Sequence, residues 1–427
     1  MKTELQTLKE NNTWMLKDLP ENIRPISTKW VYKIKKNDDK SLTYKARLVA
    51  RGFKQIYGLE YNEKFAAVIK QQAFKIIFAI ATIKGYIIWK IDIKSAFTYG
   101  DLAEIIYIIQ LEGFIDSYYS EKVLLLNKAL YGLKQSANVW YTRLSKEIIQ
   151  LGFIQLYADS CIYYNRSEDT IIIVYVDDIA ITGPKTEYIR QIIDELKKKF
   201  TISDLGPIQS YLGIKITRTP DYKTTRLSQK DYILKILKKF RMDQSNPVST
   251  PIDPGFIRKK YTGKTSNSDI TWYQQAIGSL LYAALLTRYD IACAVSILSR
   301  YTSNPEPEQI IAIKRVFKYL NRYLNYNIIY IGDIKTSSYI KGYTDSDYTG
   351  DKEEYKSTIG YIFFLANGPI SYSSKLQPIT AQSTTEAEYI ALSKAAKEAT
   401  YIKALITELS FYKQDNIPLY SDNSGAI

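Results

Sequence analysis

Two adjacent aspartates, Asp177 and Asp178, lie between two apolar runs, and this arrangement constrains the fold more than any other feature of the chain. The runs, 171–176 and 179–183, are rich in β-branched residues and predict two buried strands joined by a very tight turn. Asp tolerates the positive φ angles of such turns, which explains one carboxylate. Two like charges against an apolar sheet are costly unless something compensates them. A divalent cation bound by oxygen ligands would compensate them, and an acidic surface turn is the alternative interpretation.

The composition excludes several kinds of chemistry and favours a polyanionic partner. The chain has no histidine, which excludes Ser-His-Asp and Cys-His triads, histidine-bound zinc and imidazole acid–base catalysis. Its 58 Lys and Arg against 44 Asp and Glu give a net charge of +14, which favours nucleic acid as a partner. A basic, soluble surface is the alternative. The length of 427 residues suggests roughly two to four globular domains.

The two cysteines and the termini bear on the compartment. Cys161 and Cys293 are far apart in sequence and form no metal-ligand pattern, so we expect both to be buried, reduced thiols of an intracellular protein that is not secreted. Residues 1–10 are polar and lack the apolar core of a signal peptide. The most apolar window, 73–91, contains three lysines, so we expect no membrane association.

Residue patterns predict a sheet packed by helices, followed by a helical region and a second sheet. The loop 243–271 interrupts the helical region and is the best linker candidate. An Asn367-Gly368 turn belongs to a predicted antiparallel meander, and Ser383-Thr-Thr-Glu386 is a capping box that begins a long helix. The predicted elements are a basic hairpin over 29–54, helices over 70–84, 136–152 and 184–200, mostly helix over 226–325, and strands over 86–92, 161–165, 171–183, 339–347, 357–366 and 369–374.

A second acidic residue, Asp92, ends the apolar strand near 86–92. If that strand lies beside the hairpin, Asp92 comes close to Asp177 and Asp178. Three carboxylates can hold two Mg²⁺ ions roughly 3.5–4 Å apart, the arrangement used for nucleotidyl transfer. This chemistry requires no histidine.

An ordered series of motifs resembles the reverse transcriptase of copia-type LTR retrotransposons, from about residue 11 to the last residue. A single Tyr-x-Asp-Asp is weak, whereas the series in this order and spacing is very specific. The motifs are Lys45-Ala-Arg-Leu-Val-Ala-Arg-Gly-Phe53, Asp92-Ile-Lys-Ser-Ala-Phe97, Asn127-Lys-Ala-Leu-Tyr-Gly-Leu-Lys134-Gln135, Tyr175-Val-Asp-Asp178, Ser210-Tyr-Leu-Gly213, Pro247-Val-Ser-Thr-Pro251 and Ile277-Gly-Ser-Leu-Leu-Tyr282.

The resemblance implies an α+β fold, a right-hand polymerase with fingers, palm and thumb, followed by a ribonuclease H-like α/β domain. Fingers and palm would occupy 1–200. The palm end with the primer grip, the thumb and the connection would occupy 201–335. Residues 336–427 would form the ribonuclease H-like domain, which we expect to be incomplete at its C-terminus.

The resemblance also implies two sets of metal-binding carboxylates and a nucleotide pocket. Packing in the core is an alternative role for the aromatic residue of the pocket, and solvation on the hairpin is an alternative for its two basic residues. The polymerase ligands would be Asp92, Asp177 and Asp178; the ribonuclease H ligands would be Asp345, Glu388 and Asp422; and the dNTP pocket would contain Lys45, Arg47, Phe97 as steric gate, and Gln135.

The function implied is RNA-directed DNA synthesis with Mg²⁺, or Mn²⁺ as an alternative, and dNTP substrates. The partners would be an RNA template, a DNA primer and an RNA–DNA hybrid, in a cytoplasmic particle or the nucleus. The family's ribonuclease H continues past residue 427 to a fourth acid, so the expectation of RNA cleavage is weaker than that of polymerisation. Altered family positions, such as Ala67, Ala137 and Asn138, leave open a catalytically dead, nucleic-acid-binding remnant of a decayed retroelement. The sequence does not determine the oligomeric state.

Overall fold

A computed structural model describes residues 1–36, 41–256, 261–332, 339–351, 353–411 and 416–426. Within these residues the helices are α1 (Lys2–Glu10), α2 (Gln71–Lys84), α3 (Ser136–Gln150), α4 (Thr186–Lys197), α5 (Lys230–Lys239), α6 (Asn267–Leu286), α7 (Ala292–Leu298), α8 (Pro307–Arg322) and α9 (Thr384–Glu408). The strands are β1 (Trp14–Lys17), β2 (Thr28–Lys36), β3 (Leu42–Ala50), β4 (Ile87–Ile93), β5 (Tyr107–Ile108), β6 (Val123–Leu126), β7 (Ile154–Gln155), β8 (Ile162–Asn165), β9 (Thr170–Tyr175), β10 (Asp178–Gly183), β11 (Ile202–Pro207), β12 (Ser210–Tyr211), β13 (Ile214–Arg218), β14 (Thr224–Ser228), β15 (Ile328–Ile331), β16 (Lys341–Asp347), β17 (Thr358–Leu365), β18 (Gly368–Leu376) and β19 (Leu419–Tyr420).

The strands form a mixed α/β architecture of several small sheets. The largest has six strands in the order β11-β4-β10-β9-β8-β7. Two four-stranded sheets have the orders β12-β13-β14-β15 and β18-β17-β16-β19, and β1-β6-β5 forms a three-stranded sheet. Strands β2 and β3 pair as the predicted basic hairpin, whose turn residues 37–40 lie outside the described residues. In the C-terminal sheet, β19 runs parallel to β16.

The six-stranded sheet is buried on both faces, which explains why its strands are continuous apolar runs. On one face, Ile171 and Ile173 of β9 pack in the same core as α2. On the other face, Ile172 and Val174 pack with residues of α3 and α4. Successive strand residues point to opposite faces, so each face of β9 receives its own apolar set.

Helix α2 joins the central sheet to the C-terminal region. All its residues from Ala73 to Thr82 are buried, and they share one core with Phe363 of β17 and Leu405 of α9. The ammonium of Lys75 is buried there and donates to the carbonyl of Leu285, near the C-terminus of α6, at 3.0 Å. It also donates to the hydroxyl of Tyr372 at 3.2 Å. Burial lowers the pKa of Lys75 to about 7.

Several sequence-based expectations differ from the structure. The turn between β17 and β18 is formed by Ala366 and Asn367, both at positive φ, and Gly368 already belongs to β18. Helix α6 begins at Asn267, where Ser266 is the N-cap, and residues such as Phe256 of the preceding loop pack on the helical core of α5–α8. That loop is therefore not a free linker, because tertiary packing outweighs its Pro- and Ser-rich composition.

The two cysteines also differ from each other. Both are free thiols, but Cys161 is buried whereas Cys293 is exposed. The expectation that both are buried was therefore wrong for Cys293, which lies in α7 on a face that the rest of the core does not cover. Among the described residues, no helix is both long enough and apolar enough to cross a membrane.

The end of α9 is attached to the central sheet through Glu408. Its carboxylate accepts the backbone N–H groups of Tyr157 at 2.6 Å and Ala158 at 3.0 Å.

We expect Glu408→Ala to lower the free energy of unfolding by about 2 kcal/mol, because two amide donors lose a charged acceptor. Denaturant unfolding measures this loss, and hydrogen exchange should accelerate at the two amides. Lys394→Ala, at an exposed position of α9, is the control and should change stability by less than about 0.5 kcal/mol. Equal effects of the two substitutions would contradict the attachment.

Candidate active sites

The β9–β10 turn presents Asp177, and its backbone geometry differs from what the sequence suggested. Tyr175 pairs with Asp178, which leaves Val176 and Asp177 as the turn residues. The positive φ of 56° falls on Val176, not on an aspartate. A β-branched residue rarely adopts this conformation, so the turn is strained. The indole N–H of buried Trp140 donates to the Val176 carbonyl at 2.8 Å and holds the turn in place.

The predicted neighbour of the hairpin is confirmed, because β4 pairs antiparallel with β10. The register sets Asp92 directly opposite Asp178. Residues so paired have Cβ atoms about 4.5–5.5 Å apart. The backbone N–H of Ile93 donates to the Asp177 carbonyl at 3.1 Å and draws the turn to the end of β4. The three carboxylates therefore lie near one another where β4 ends and β10 begins, a place called here the carboxylate edge of the central sheet.

Electrostatics at this edge favour a bound cation. Burial raises the pKa of Asp92, and the neighbouring Asp177 and Asp178 raise it further. Burial likewise raises the pKa of Asp177, while Arg47 and Lys45 oppose the rise. Partly buried carboxylates that repel one another form an oxygen-only donor set, which fits a hard divalent cation such as Mg²⁺. Asp178 differs because it forms an ion pair with Lys90, at 2.9 Å.

The structure brings three of the four predicted pocket residues to this edge. Lys45 and Arg47 of β3 act electrostatically on the carboxylates. Phe97 lies in a short 3-10 helix after β4 and contacts the ring of Tyr131, with centroids 4.6 Å apart. The Arg47 guanidinium lies 5.1 Å from the centre of the same Tyr131 ring.

The fourth predicted pocket residue, Gln135, is placed differently. Its side chain is 2% exposed. Its amide accepts from Gln55 at 3.0 Å and donates to the Glu60 carbonyl at 2.8 Å. In this structure Gln135 therefore stabilises the 55–60 loop, and contact with a nucleotide would require these bonds to break.

A second carboxylate cluster lies in the C-terminal region. Asp345 is on β16, Glu388 is in the second turn of α9, and Asp422 follows β19. Among the described residues, these form the one group of three potential metal ligands in which one oxygen from each residue lies within 4.8 Å of the other two. Parallel pairing of β16 with β19 brings the first and third acids together, and packing of α9 on β16 adds the second.

The buried carboxylate of Glu388 shows that this cluster fits a metal ion. One oxygen accepts the backbone N–H of Ser346 at 3.0 Å, whereas the other is buried and has no hydrogen-bond partner among the described residues. Burial raises the pKa of Glu388, and Asp345 and Asp422 raise it further. A buried oxygen without a donor is costly, and a cation would satisfy it.

The neighbouring Glu386 has the structural role predicted for it, with a small difference. Ser383 caps α9 by accepting the N–H of Glu386 at 3.1 Å. The Glu386 carboxylate accepts the N–H of Gln382 at 2.7 Å, one residue before the position expected in a capping box. Glu386 therefore stabilises the start of the helix that positions Glu388.

Sequence reasoning missed three residues around the hairpin site. Lys90 was detectable, because the two-residue period of a strand puts it on the same face as Asp92. Trp140 and Tyr131 contact the site from elements distant in sequence, so no local pattern indicated their roles.

Comparisons with known proteins show the family to which the chain belongs. Residues 11–254 match the family model for reverse transcriptase (RNA-dependent DNA polymerase). The chain is 38% identical to the Pol polyprotein of transposon TNT 1-94 from Nicotiana tabacum over 437 residues, and 37% identical to that of transposon RE1 from Arabidopsis thaliana over 430 residues. The chain belongs to the reverse transcriptase family, in the form found in copia-type Pol polyproteins.

These alignments cover all of this chain but only part of each relative. The chain spans about a third of their length, 32% of the tobacco polyprotein and 29% of the Arabidopsis one. Among solved structures, a foamy viral protease-reverse transcriptase in complex with double-stranded DNA aligns with 12% identity and a TM-score of 0.47, over 99% of this chain and 70% of that chain.

The raised pKa of Asp177 predicts how stability depends on pH in metal-free buffer. Because its folded pKa lies above its unfolded pKa, ionisation costs stability, and this cost appears as the pH rises through the interval between the two values. We expect Asp177→Asn to melt at a higher temperature than wild type at pH 7, with the advantage vanishing near pH 4 or below, about the unfolded pKa. Asp194→Asn, at an exposed site of α4, should show no such advantage. A wild type at least as stable as Asp177→Asn at pH 7 would contradict the interpretation.

Proposed function

We propose that this chain is an RNA-directed DNA polymerase that transfers nucleotides from dNTPs to a primer 3′-hydroxyl. The observation that carries the proposal is the register of β4 against β10, which sets Asp92 opposite Asp178 beside the Asp177 turn in a member of the reverse transcriptase family. Such an edge of carboxylates suits metal-assisted phosphoryl chemistry, and the absence of histidine is no obstacle to it.

In this proposal each side chain at the edge has a distinct role. Asp92, Asp177 and Asp178 would hold divalent cations, Mg²⁺ or Mn²⁺. A cation bound there supplies a lowered pKa for the primer hydroxyl and charge neutralisation for the triphosphate. Lys45 and Arg47, which already act electrostatically on the carboxylates, would bind the triphosphate.

Selection of the deoxyribose is assigned to Phe97. Its ring is braced by Tyr131, which in turn lies beside the Arg47 guanidinium. A ring held in this way has little freedom to move aside, so it would exclude a 2′-hydroxyl by steric contact. Gln135 would act indirectly, through the 55–60 loop that its amide stabilises.

The remaining parts of the chain would hold the nucleic acid. We assign fingers and palm to 1–200, the palm end, thumb and connection to 201–335, and a ribonuclease H-like region to 336–427. The proposed primer grip is the tight turn at Leu212 and Gly213, both at positive φ, and the hydroxyl of Tyr282 on α6 donates to the Leu212 carbonyl at 2.8 Å. Tyr211 itself is fully buried and packs against Phe74 and Phe78. The net charge of +14 supports binding of template and primer phosphates.

The second carboxylate cluster supports a second activity. We propose that Asp345, Glu388 and Asp422 hold divalent cations for hydrolysis of the RNA strand of an RNA–DNA hybrid. The unpartnered, buried oxygen of Glu388 and the convergence of the three acids within 4.8 Å support this assignment.

The polymerase assignment is tested by primer extension on an RNA template with Mg²⁺. We expect Asp177→Asn to lower the extension rate at least about 100-fold, since loss of a metal ligand removes several kcal/mol of stabilisation from the transition state. Template affinity, measured by fluorescence anisotropy, should stay near that of wild type. Asp194→Asn is the control and should extend primers normally. No extension by wild type, with template still bound, would instead identify a catalytically dead nucleic-acid-binding protein.

The nuclease assignment is tested by degradation of the labelled RNA strand of an RNA–DNA hybrid. We expect Mg²⁺-dependent cleavage by wild type and a loss of at least about 100-fold in Glu388→Gln. Glu386→Gln is a matched control two residues away, because its carboxylate caps α9 and is not assigned to the cluster. Equal cleavage by wild type and Glu388→Gln would overturn the assignment, as would no cleavage by wild type.

A further inference from the structure

The ammonium of Lys90 lies inside the hairpin site. On β4, Lys90 is two residues before Asp92 and therefore on the same face of the strand. Its partner across β10 is Ala180, whose small side chain leaves room for the lysine to extend along the sheet. The Lys90 ammonium reaches Asp178, with Nζ 2.9 Å from Oδ1.

Burial makes this ion pair more than a surface contact. The side chains of Lys90 and Asp178 are 13% and 27% exposed. Screening by water is weaker at such positions than on an open surface, so the pairing is a substantial constraint on both groups. The Lys90 ammonium also lies 6.0 Å from the centre of the buried Tyr211 ring, which limits where it can move.

Lys90 divides the carboxylates into two kinds. Within the part of the chain that the structure describes, Asp178 forms an ion pair at this site, whereas none is found for Asp92 or Asp177. Among the described residues, the compact group of metal ligands is Asp345, Glu388 and Asp422, and the hairpin carboxylates are spaced more widely. The ammonium of Lys90 therefore already contacts Oδ1 of Asp178, one of the potential metal-ligand oxygens of the hairpin site.

We infer that Lys90 is a displaceable counter-ion, which holds Asp178 Oδ1 in the metal-free protein and releases it when a divalent cation binds. This inference rests on the proposed function. An ammonium and a divalent cation compete for the same oxygen and repel each other, so binding of one opposes binding of the other. The flexible four-carbon stem of lysine allows the head group to leave without movement of the strand. Lys90 thus sets the metal affinity of the site and acts as a positioning residue for Asp178.

The test measures the affinity of the full chain for Mn²⁺ in the absence of nucleic acid. The electron paramagnetic resonance signal of free Mn²⁺ reports how much of the ion is bound. All variants carry Glu388→Gln, which weakens the second cluster. We expect Lys90→Met, which keeps the length and removes the charge, to bind Mn²⁺ about tenfold more tightly, a usual size for coupling between two binding events. Lys90→Gln should also bind more tightly, and Lys90→Arg should not. Circular dichroism shows whether each variant is folded. If one of the two neutral variants is misfolded, the other still provides the test.

Two controls locate the effect. Lys84→Met removes a similar Lys–Asp pair, to Asp169 at 2.6 Å, and should leave Mn²⁺ affinity unchanged. Adding Asp177→Asn to Lys90→Met should abolish the gain, because the hairpin site has then lost a ligand. Unchanged or weaker Mn²⁺ binding in both folded neutral variants would overturn the inference, as would a gain that survives Asp177→Asn.

Failure of the inference and failure of the proposed function are distinguishable. If wild type extends primers but the neutral variants bind Mn²⁺ as wild type does, only the role of Lys90 is wrong. If Mn²⁺ affinity changes as expected but no variant extends a primer, the counter-ion role holds and the polymerase assignment fails.

Discussion

The register of β4 against β10 is the constraint on which the hairpin site depends. It sets Asp92 opposite Asp178, and a slip of one residue would turn Asp92 toward the opposite face of the sheet. Burial prevents such a slip, because α2 packs on one face while α3 and α4 pack on the other. A one-residue shift in register would therefore move the apolar residues of both faces to the wrong side of the sheet at once. The apolar runs around the aspartates are what fixes the geometry of the charged groups.

Helix α2 extends this constraint to the rest of the molecule. It is buried from Ala73 to Thr82, and its core includes residues of the C-terminal sheet and of α9. Lys75 links the helix to α6 and to Tyr372 of β18, although burial lowers its pKa to about 7. Charge on this lysine is balanced only by a helix C-terminus and a hydroxyl among the described residues. The contact of α2 with α6 and β18 through Lys75 is therefore sensitive to pH near neutrality.

Sequence patterns predicted the elements whose period was clear and missed what tertiary contacts decide. Apolar runs identified β4 and the hairpin, and a capping box identified the start of helix α9. The strained residue of the turn is Val176 and not an aspartate, because Val176 occupies the first of the two turn positions. The hydrogen bond that its carbonyl accepts comes from Trp140 of a distant helix. The buried side chain of Gln135 is hydrogen-bonded to Gln55, eighty residues earlier in the chain. No local motif could indicate this contact. Acid positions are predictable from strand ends, whereas the partners of those acids depend on the complete fold.

The two carboxylate clusters deal with the cost of buried charge in different ways, and this difference bears on how each would respond to a cation. At the hairpin, Lys90 neutralises one acid, so the metal-free site is partly satisfied and a cation must compete for entry. In the C-terminal cluster, a backbone N–H satisfies one oxygen of Glu388 and the other is left without a donor. A cation there meets no ion-paired lysine among the described residues and relieves an existing cost. On these grounds the C-terminal cluster should fill first as the divalent cation concentration rises, and the hairpin site should fill later.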